Sequence, residues 1–176
     1  MAANMLTAYY SRGCDSRGLF QGLKIATHPD FEKHLNQYNV IHLNMRDYLT
    51  ESENMKQLIQ FVEDDLLDEL QQEFSDLRMP RRKTLVKVLE QAFAQYKIPF
   101  VFIIDEWDCI FRVHKSDAAS QKDYLDFLRN LLKDKSYIAL AYMTGILPIK
   151  KYGEHSAINV FYEYSMTDAS PIEEFT

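Results

Sequence analysis

Cysteine is scarce: Cys14 and Cys109 stand far apart without Cys-x-x-Cys spacing, so neither a disulfide framework nor a zinc site is suggested. Basic charge is short as well. Lys plus Arg total 20 against 26 Asp plus Glu, and a formal charge of −6 argues against a general nucleic-acid binder, whose affinity rests on neutralising phosphates. No long apolar run is present; the longest, Ile98 to Ile104, is far too short to span a bilayer. The opening MAANMLTAYYSRG has no basic n-region and is broken by polar residues, so it does not read as a signal peptide. Repeats, low-complexity tracts and long linkers are absent. What remains is an ordinary globular composition of 176 residues, 47% hydrophobic, with a mean hydropathy of −0.33. It implies one domain over residues 1–176, with a sizeable core and no membrane partner, expected in the cytoplasm.

Periodicity supplies the elements. Residues 2–12 read as a helix with Leu6, Tyr9 and Tyr10 on one side and no preceding residue to cap its first turn. After a polar break from Gly13 to Gly18 and a short irregular piece around Gly22, Pro29 opens a pattern in which Phe31, Leu35 and Tyr38 recur at helical spacing. Val40 to Met45 alternates as a strand. A long helix over 54–74 carries Leu58, Val62, Leu66 and Leu70 inward and an acidic run outward. Beyond the break at Pro80, a second amphipathic helix runs through Tyr96 with Leu85, Leu89 and Phe93 inward. Phe100 to Ile104 is continuously apolar, as a parallel strand covered on both faces must be. A polar loop, a helix over 120–134, a buried strand over 137–143 and a last strand over 159–164 complete the reading. Strands alternating with helices imply parallel pairing through right-handed crossovers, hence a three-layer α/β architecture.

The best chemical signal is Phe100-Val101-Phe102-Ile103-Ile104-Asp105-Glu106, a buried strand ending in two carboxylates at the edge where open α/β sheets bind ligands. In P-loop ATPases the first acid helps hold the hydrated Mg²⁺ and the second orients or deprotonates the attacking water. An apolar strand stepping into an acidic turn is the plainer reading. Tyr137 to Gly145 ends similarly, and Thr144 on a neighbouring strand could meet a catalytic water or a γ-phosphate; its plainer role is to start the turn at Gly145. The phosphate-cradling G-x-x-x-x-G-K-[ST] is missing, since Gly13 and Gly18 have its internal spacing but Leu19 and Phe20 follow. Pro29-Asp30 does not begin a PD-(D/E)xK nuclease motif, because no acid is followed two positions later by Lys. The five histidines lack zinc-helix spacing, and Arg81-Arg82-Lys83 reads first as a solvated helix start that could also touch a phosphate or a partner.

Three separated blocks, AANMLTAYYSRGCDSRGLFQGLKI, FIIDEWD and MTGILPIKKYGEHSAINVFYEYSM, together resemble the AAA-ATPase-like family of bacterial proteins, many of which also carry a C-terminal PD-(D/E)xK nuclease-type domain. The resemblance implies a P-loop NTPase fold with a mostly parallel sheet, Asp105 and Glu106 as the Walker B pair, Asp105 toward the metal, Thr144 as a sensor-like residue, and ATP with Mg²⁺ as cofactors. Trp107 stands where the family's acidic block leads one to expect Tyr. In the family the helix resembling residues 1–11 directly follows the phosphate loop, so the chain is expected to be a partial domain lacking the first strand and that loop. The fragment would then leave an unpaired sheet edge on the Thr144 strand, open to self-association, and would not turn over ATP alone. A non-catalytic interaction module or degenerate remnant is the alternative function. An arginine completing a neighbouring subunit's site cannot be assigned from sequence; Arg112 and Arg129 are the two possibilities.

Overall fold

A computed structural model describes residues 2–147 and 161–164. Its centre is the most apolar stretch of the chain. Phe100–Asp105 forms β2, flanked in parallel by β1 (Asn39–Asn44) and β3 (Ile138–Met143), in the spatial order β1-β2-β3. Successive side chains of β2 point to opposite faces. Phe100, Phe102 and Ile104 enter the larger core, while Val101 and Ile103 enter a smaller one behind the sheet. This two-sided burial explains why β2 has no polar residue before Asp105.

Behind the sheet lies α1 (Ala2–Tyr10), with Ala3 buried against Val101 and Ile103 and with Leu6 and Tyr10 packed around them. Its carboxyl end is tied to the start of β1: Tyr38 N–H donates to the Tyr10 carbonyl at 2.9 Å and Arg12 N–H to the Tyr38 carbonyl at 3.0 Å. Helix α1 therefore runs against the strands, and its first turn points toward the end of the sheet where Asp105 sits. Two four-residue helices, α2 (Arg17–Phe20) and α3 (Phe31–His34), follow. The helical spacing expected from Phe31 to Tyr38 stops early, because Asn36 takes a left-handed φ of 56°. There its amide donates to the carbonyls of Ala8 and Ser11, fixing the turn that carries the chain into β1.

The front layer holds α5 (Met55–Glu73), α6 (Leu85–Tyr96) and α8 (Ala118–Leu132). Leu58, Val62, Leu66 and Leu70 of α5 are buried as their spacing requires, with the acidic residues outward. Asn54 caps the helix by accepting from Gln57 N–H at 3.1 Å. With helices on both faces, the α/β three-layer expectation holds, and the sheet is parallel throughout the described residues.

Four expectations need correction. The first strand ends at Asn44 rather than Met45, which instead begins a short helix, α4 (Met45–Glu51), and a second short helix, α7 (Cys109–Val113), lies inside the loop expected after β2. Strand β3 is only half buried. Ile138, Ala141 and Met143 pack on the front core, whereas Leu140 and Tyr142, on the α1 side, are 37% and 36% exposed because α1 covers β1 and β2. A register shift beside Phe100 and Val101 leaves Ala139 as the extra residue of β3. Finally, residues 161–164 of the expected last strand are not strand: Phe161 touches the front core and Tyr162 is 90% exposed. The remainder of that expected strand, 159–160, lies outside the described residues.

Candidate functional site at the carboxyl end of the sheet

Each strand ends on a polar residue at or just past its last pair: Asn44 opposite Asp105 on one side, Thr144 beyond Met143 on the other. Asn44 is committed to capping α4, accepting from Arg46 N–H at 3.1 Å. The other two meet. Thr144 Oγ1 donates to Asp105 Oδ1, which also accepts from Glu106 N–H at 3.1 Å. Backbone bonds knit the same strand ends, Thr144 N–H to the Ile104 carbonyl at 2.9 Å and Trp107 N–H to the Thr144 carbonyl at 3.1 Å. Among the described residues, Asp105 Oδ2 receives no hydrogen bond.

Glu106 turns the chain. Its φ of 54° is left-handed, a conformation that carries a steric penalty for a residue with a Cβ. The carboxylate, about a third exposed, is held by Arg112 Nη2 from α7. Arg112 Nε in turn lies 3.2 Å from Asp108 Oδ2, an i,i+4 pair across the start of α7. Burial disfavours the Arg112 charge, but the Glu106 hydrogen bond and the Asp108 and Glu106 charges outweigh it and hold its pKa above the usual value.

Asp108 is the residue sequence reasoning missed. Fully buried, it accepts backbone N–H groups from Ile146 at 3.1 Å and Leu147 at 2.9 Å, so one carboxylate fastens the turn after β3 to the turn after β2. Its spacing from Arg112 was the only signal available. Gly145 shows how close the two turns are: a Cβ there would stand 2.7 Å from Asp108 Oδ1 and from the Trp107 ring. Trp107 is buried in the front core, and its carbonyl accepts from Tyr124 on α8 at 2.9 Å. Burial raises the Tyr124 hydroxyl well above its ordinary pKa and pushes the Cys109 thiol up to about 11, so neither ionises at neutral pH.

The remaining candidates lie elsewhere. Gly13 lies in the link from α1 to α2, near Tyr38 at the opposite end of the sheet, and Gly18 is the second residue of α2. A cavity of about 440 Å³ opens at that end, lined in part by Arg12, Ile41, Glu69, Glu73 and Phe74. Arg12 pairs with Glu73 at 2.9 Å and lies over the Phe74 ring, which leaves an acidic rim unsuited to phosphate. Arg129 is exposed beside Asp126, whereas Arg112 is turned inward, so the structure separates the two arginines that sequence left equivalent. Among the described residues, no group of three His, Cys, Asp or Glu could hold a metal unaided, and no helix is long and apolar enough to cross a membrane.

A model of the AAA-ATPase-like family, described as a predicted AAA-ATPase, matches residues 1–153. The chain belongs to that family. No curated protein and no solved structure matches it. Membership in the AAA-ATPase-like family gives the chain a predicted AAA-type ATPase as its nearest functional description and a nucleotide with Mg²⁺ as the general ligands of its kind.

Proposed function

We propose that Asp105, Glu106 and Thr144 form the hydrolytic half of an ATP site. The observation that supports this most is the Thr144 to Asp105 hydrogen bond at adjoining strand ends, which brings a hydroxyl and a carboxylate together on rigid backbone, with Glu106 the next residue along the chain. The residues suit Mg²⁺ as a partial ligand set. This ion keeps several waters and takes one or two carboxylates plus phosphate oxygens, and Asp105 offers a carboxylate oxygen without a hydrogen bond. When bound, the ion would neutralise phosphate charge. Asp105 would hold its water shell, Glu106 would orient and deprotonate the attacking water, and Thr144 would hydrogen-bond that water or the γ-phosphate. General-base chemistry of this kind contributes roughly 10²–10⁴-fold, so Glu106→Gln should lower turnover by at least 100-fold in any form that hydrolyses ATP.

Phosphate binding needs more than this chain's acidic pair, which would repel a triphosphate lacking other neutralisation. The sequence has no Gly-Lys-Ser or Gly-Lys-Thr. We therefore expect no useful turnover by these residues alone. A thermal-shift titration with Mg-ATP tests this, run on this chain beside a version lengthened at its N-terminus by a strand and phosphate loop. Ligand at a hundred times its dissociation constant stabilises a competent fold by about 2.7 kcal/mol. A shift in the longer protein alone supports the reading, and a shift in the short chain means that a phosphate-binding element other than a Walker loop is present.

A second reading, self-association through β3, is favoured by one observation. The strand Ile-Ala-Leu-Ala-Tyr-Met carries no charge or proline, pairs only with β2 among the described residues, and exposes Leu140 and Tyr142.

A further inference from the structure

The Glu106–Arg112–Asp108 cluster is asymmetric in a way that the reading above does not use. Asp108 has an exposure of 0% and its carboxylate is anchored by two backbone N–H groups as well as by Arg112. Glu106 is different: its side chain is 33% exposed, and Arg112 is its only hydrogen-bond partner among the described residues. Arg112 is itself 30% exposed. If the Glu106 contact opens, Arg112 keeps its buried partner, and both freed groups reach water. Little is lost by opening, because a partly exposed ion pair is weak and neither charge is stranded in the core. The pair between Arg112 and Asp108 is thus the fixed part, and the pair between Arg112 and Glu106 is the movable one.

We propose that Arg112 is a positioning residue that acts as a latch on Glu106, holding the carboxylate away from the Asp105–Thr144 junction until an oxyanion draws the guanidinium off. The inference rests on the reading of Asp105 and Glu106 as the metal and water residues. A phosphate oxygen is the natural competitor, since a guanidinium binds phosphate as readily as carboxylate; Nη2, which donates to Glu106 and at 3.5 Å to Asp108, can turn to it while the guanidinium stays within ion-pair distance of Asp108. Arrival of a polyphosphate then releases Glu106 toward the site, while in its absence Arg112 cancels one of the charges that would attract a divalent cation. The left-handed turn at Glu106 keeps the carboxylate beside α7 rather than along the line of β2.

The test uses Mn²⁺ as the probe and needs no turnover. Paramagnetic broadening of backbone amides at residues 105–108 and 144–147 is followed during a Mn²⁺ titration of the wild-type chain, Arg112→Gln, Arg112→Lys and, as control, Asp105→Asn. Removing one positive charge from beside the site should tighten Mn²⁺ binding on the order of five- to tenfold in Arg112→Gln. Arg112→Lys keeps the charge but has one compact head that cannot span two carboxylates. It should settle on buried Asp108, free Glu106, and bind Mn²⁺ more tightly than wild type though less than Arg112→Gln. This variant also serves if the glutamine form fails to fold. Equal affinity in wild type and both variants overturns the latch and leaves the metal reading intact. Tightening in Arg112→Gln with Arg112→Lys at the wild-type value also overturns it, because net charge alone would then explain the effect. No broadening at Asp105 in any protein removes the metal reading, and the latch with it.

Discussion

A methyl group on residue 145 has no space to occupy, since Asp108 and the Trp107 ring already stand where it would go. Gly145→Ala should therefore push the two turns apart, with an overpacking penalty of about 1–3 kcal/mol read as a lower urea midpoint. Asp108 carries a larger share of the same junction. Asp108→Ala leaves two backbone N–H groups without their acceptor and Arg112 with Glu106 as its remaining partner among the described residues, and should cost about 3 kcal/mol in the same assay. Asp108→Asn, which keeps one acceptor oxygen, should lose less; equal losses would show that hydrogen bonds to a single oxygen are not what ties the turns. The two thiols should differ sharply. Cys109 is buried with its pKa pushed up to about 11, while Cys14 is exposed, so a thiol-disulfide reagent at neutral pH should modify one equivalent in the native chain and two after denaturation.

The elements that were legible in sequence are those whose side chains repeat for long enough. Helix α5 shows its buried face across four turns, and β2 shows two-sided burial as an unbroken apolar run. Helices α4 and α7 escaped because seven and five residues are too few for a period to emerge. In α7 the segment Cys-Ile-Phe-Arg-Val follows an acidic turn and looks like loop, although Ile110 and Phe111 are core residues. The candidate site divides in the same way. Asp105, Glu106 and Thr144 were visible as strand ends, whereas Asp108 and Arg112 depend on the left-handed turn at Glu106, which no spacing encodes. At the start of α8, Asp117 accepts from Ser120 N–H and Oγ, and these hydrogen bonds lower its pKa. A carboxylate depressed in the folded state stabilises above its unfolded pKa, and the benefit fades as pH falls through the folded value. The stability gap between wild type and Asp117→Ala should therefore be full near neutrality and shrink in acid. A gap that did not change with pH would locate the effect in helix propensity instead.

For the molecule as a whole, an excess of six negative charges keeps chains apart except where a surface has none to offer. Strand β3 is such a surface, and its contribution is measurable: Leu140→Lys should abolish any concentration-dependent association seen by sedimentation velocity while leaving the midpoint of unfolding nearly unchanged. An identical sedimentation profile in wild type and variant would move association to another face. The sheet has one more consequence, in the order of its making. Its strands lie side by side in the order in which they occur along the chain, each joined to the next by front-layer helices. Among the described residues no strand has to be inserted between two already paired. During synthesis each strand can dock on an edge that already exists as it leaves the ribosome, and the acidic turn after β2 waits for β3 to bring Thr144 and Gly145 against it. The proposed site is then among the last parts of the described chain to assemble, and a chain that ends within α8 would lack both the Thr144 partner of Asp105 and the part of the front core that α8 and Tyr137 fill.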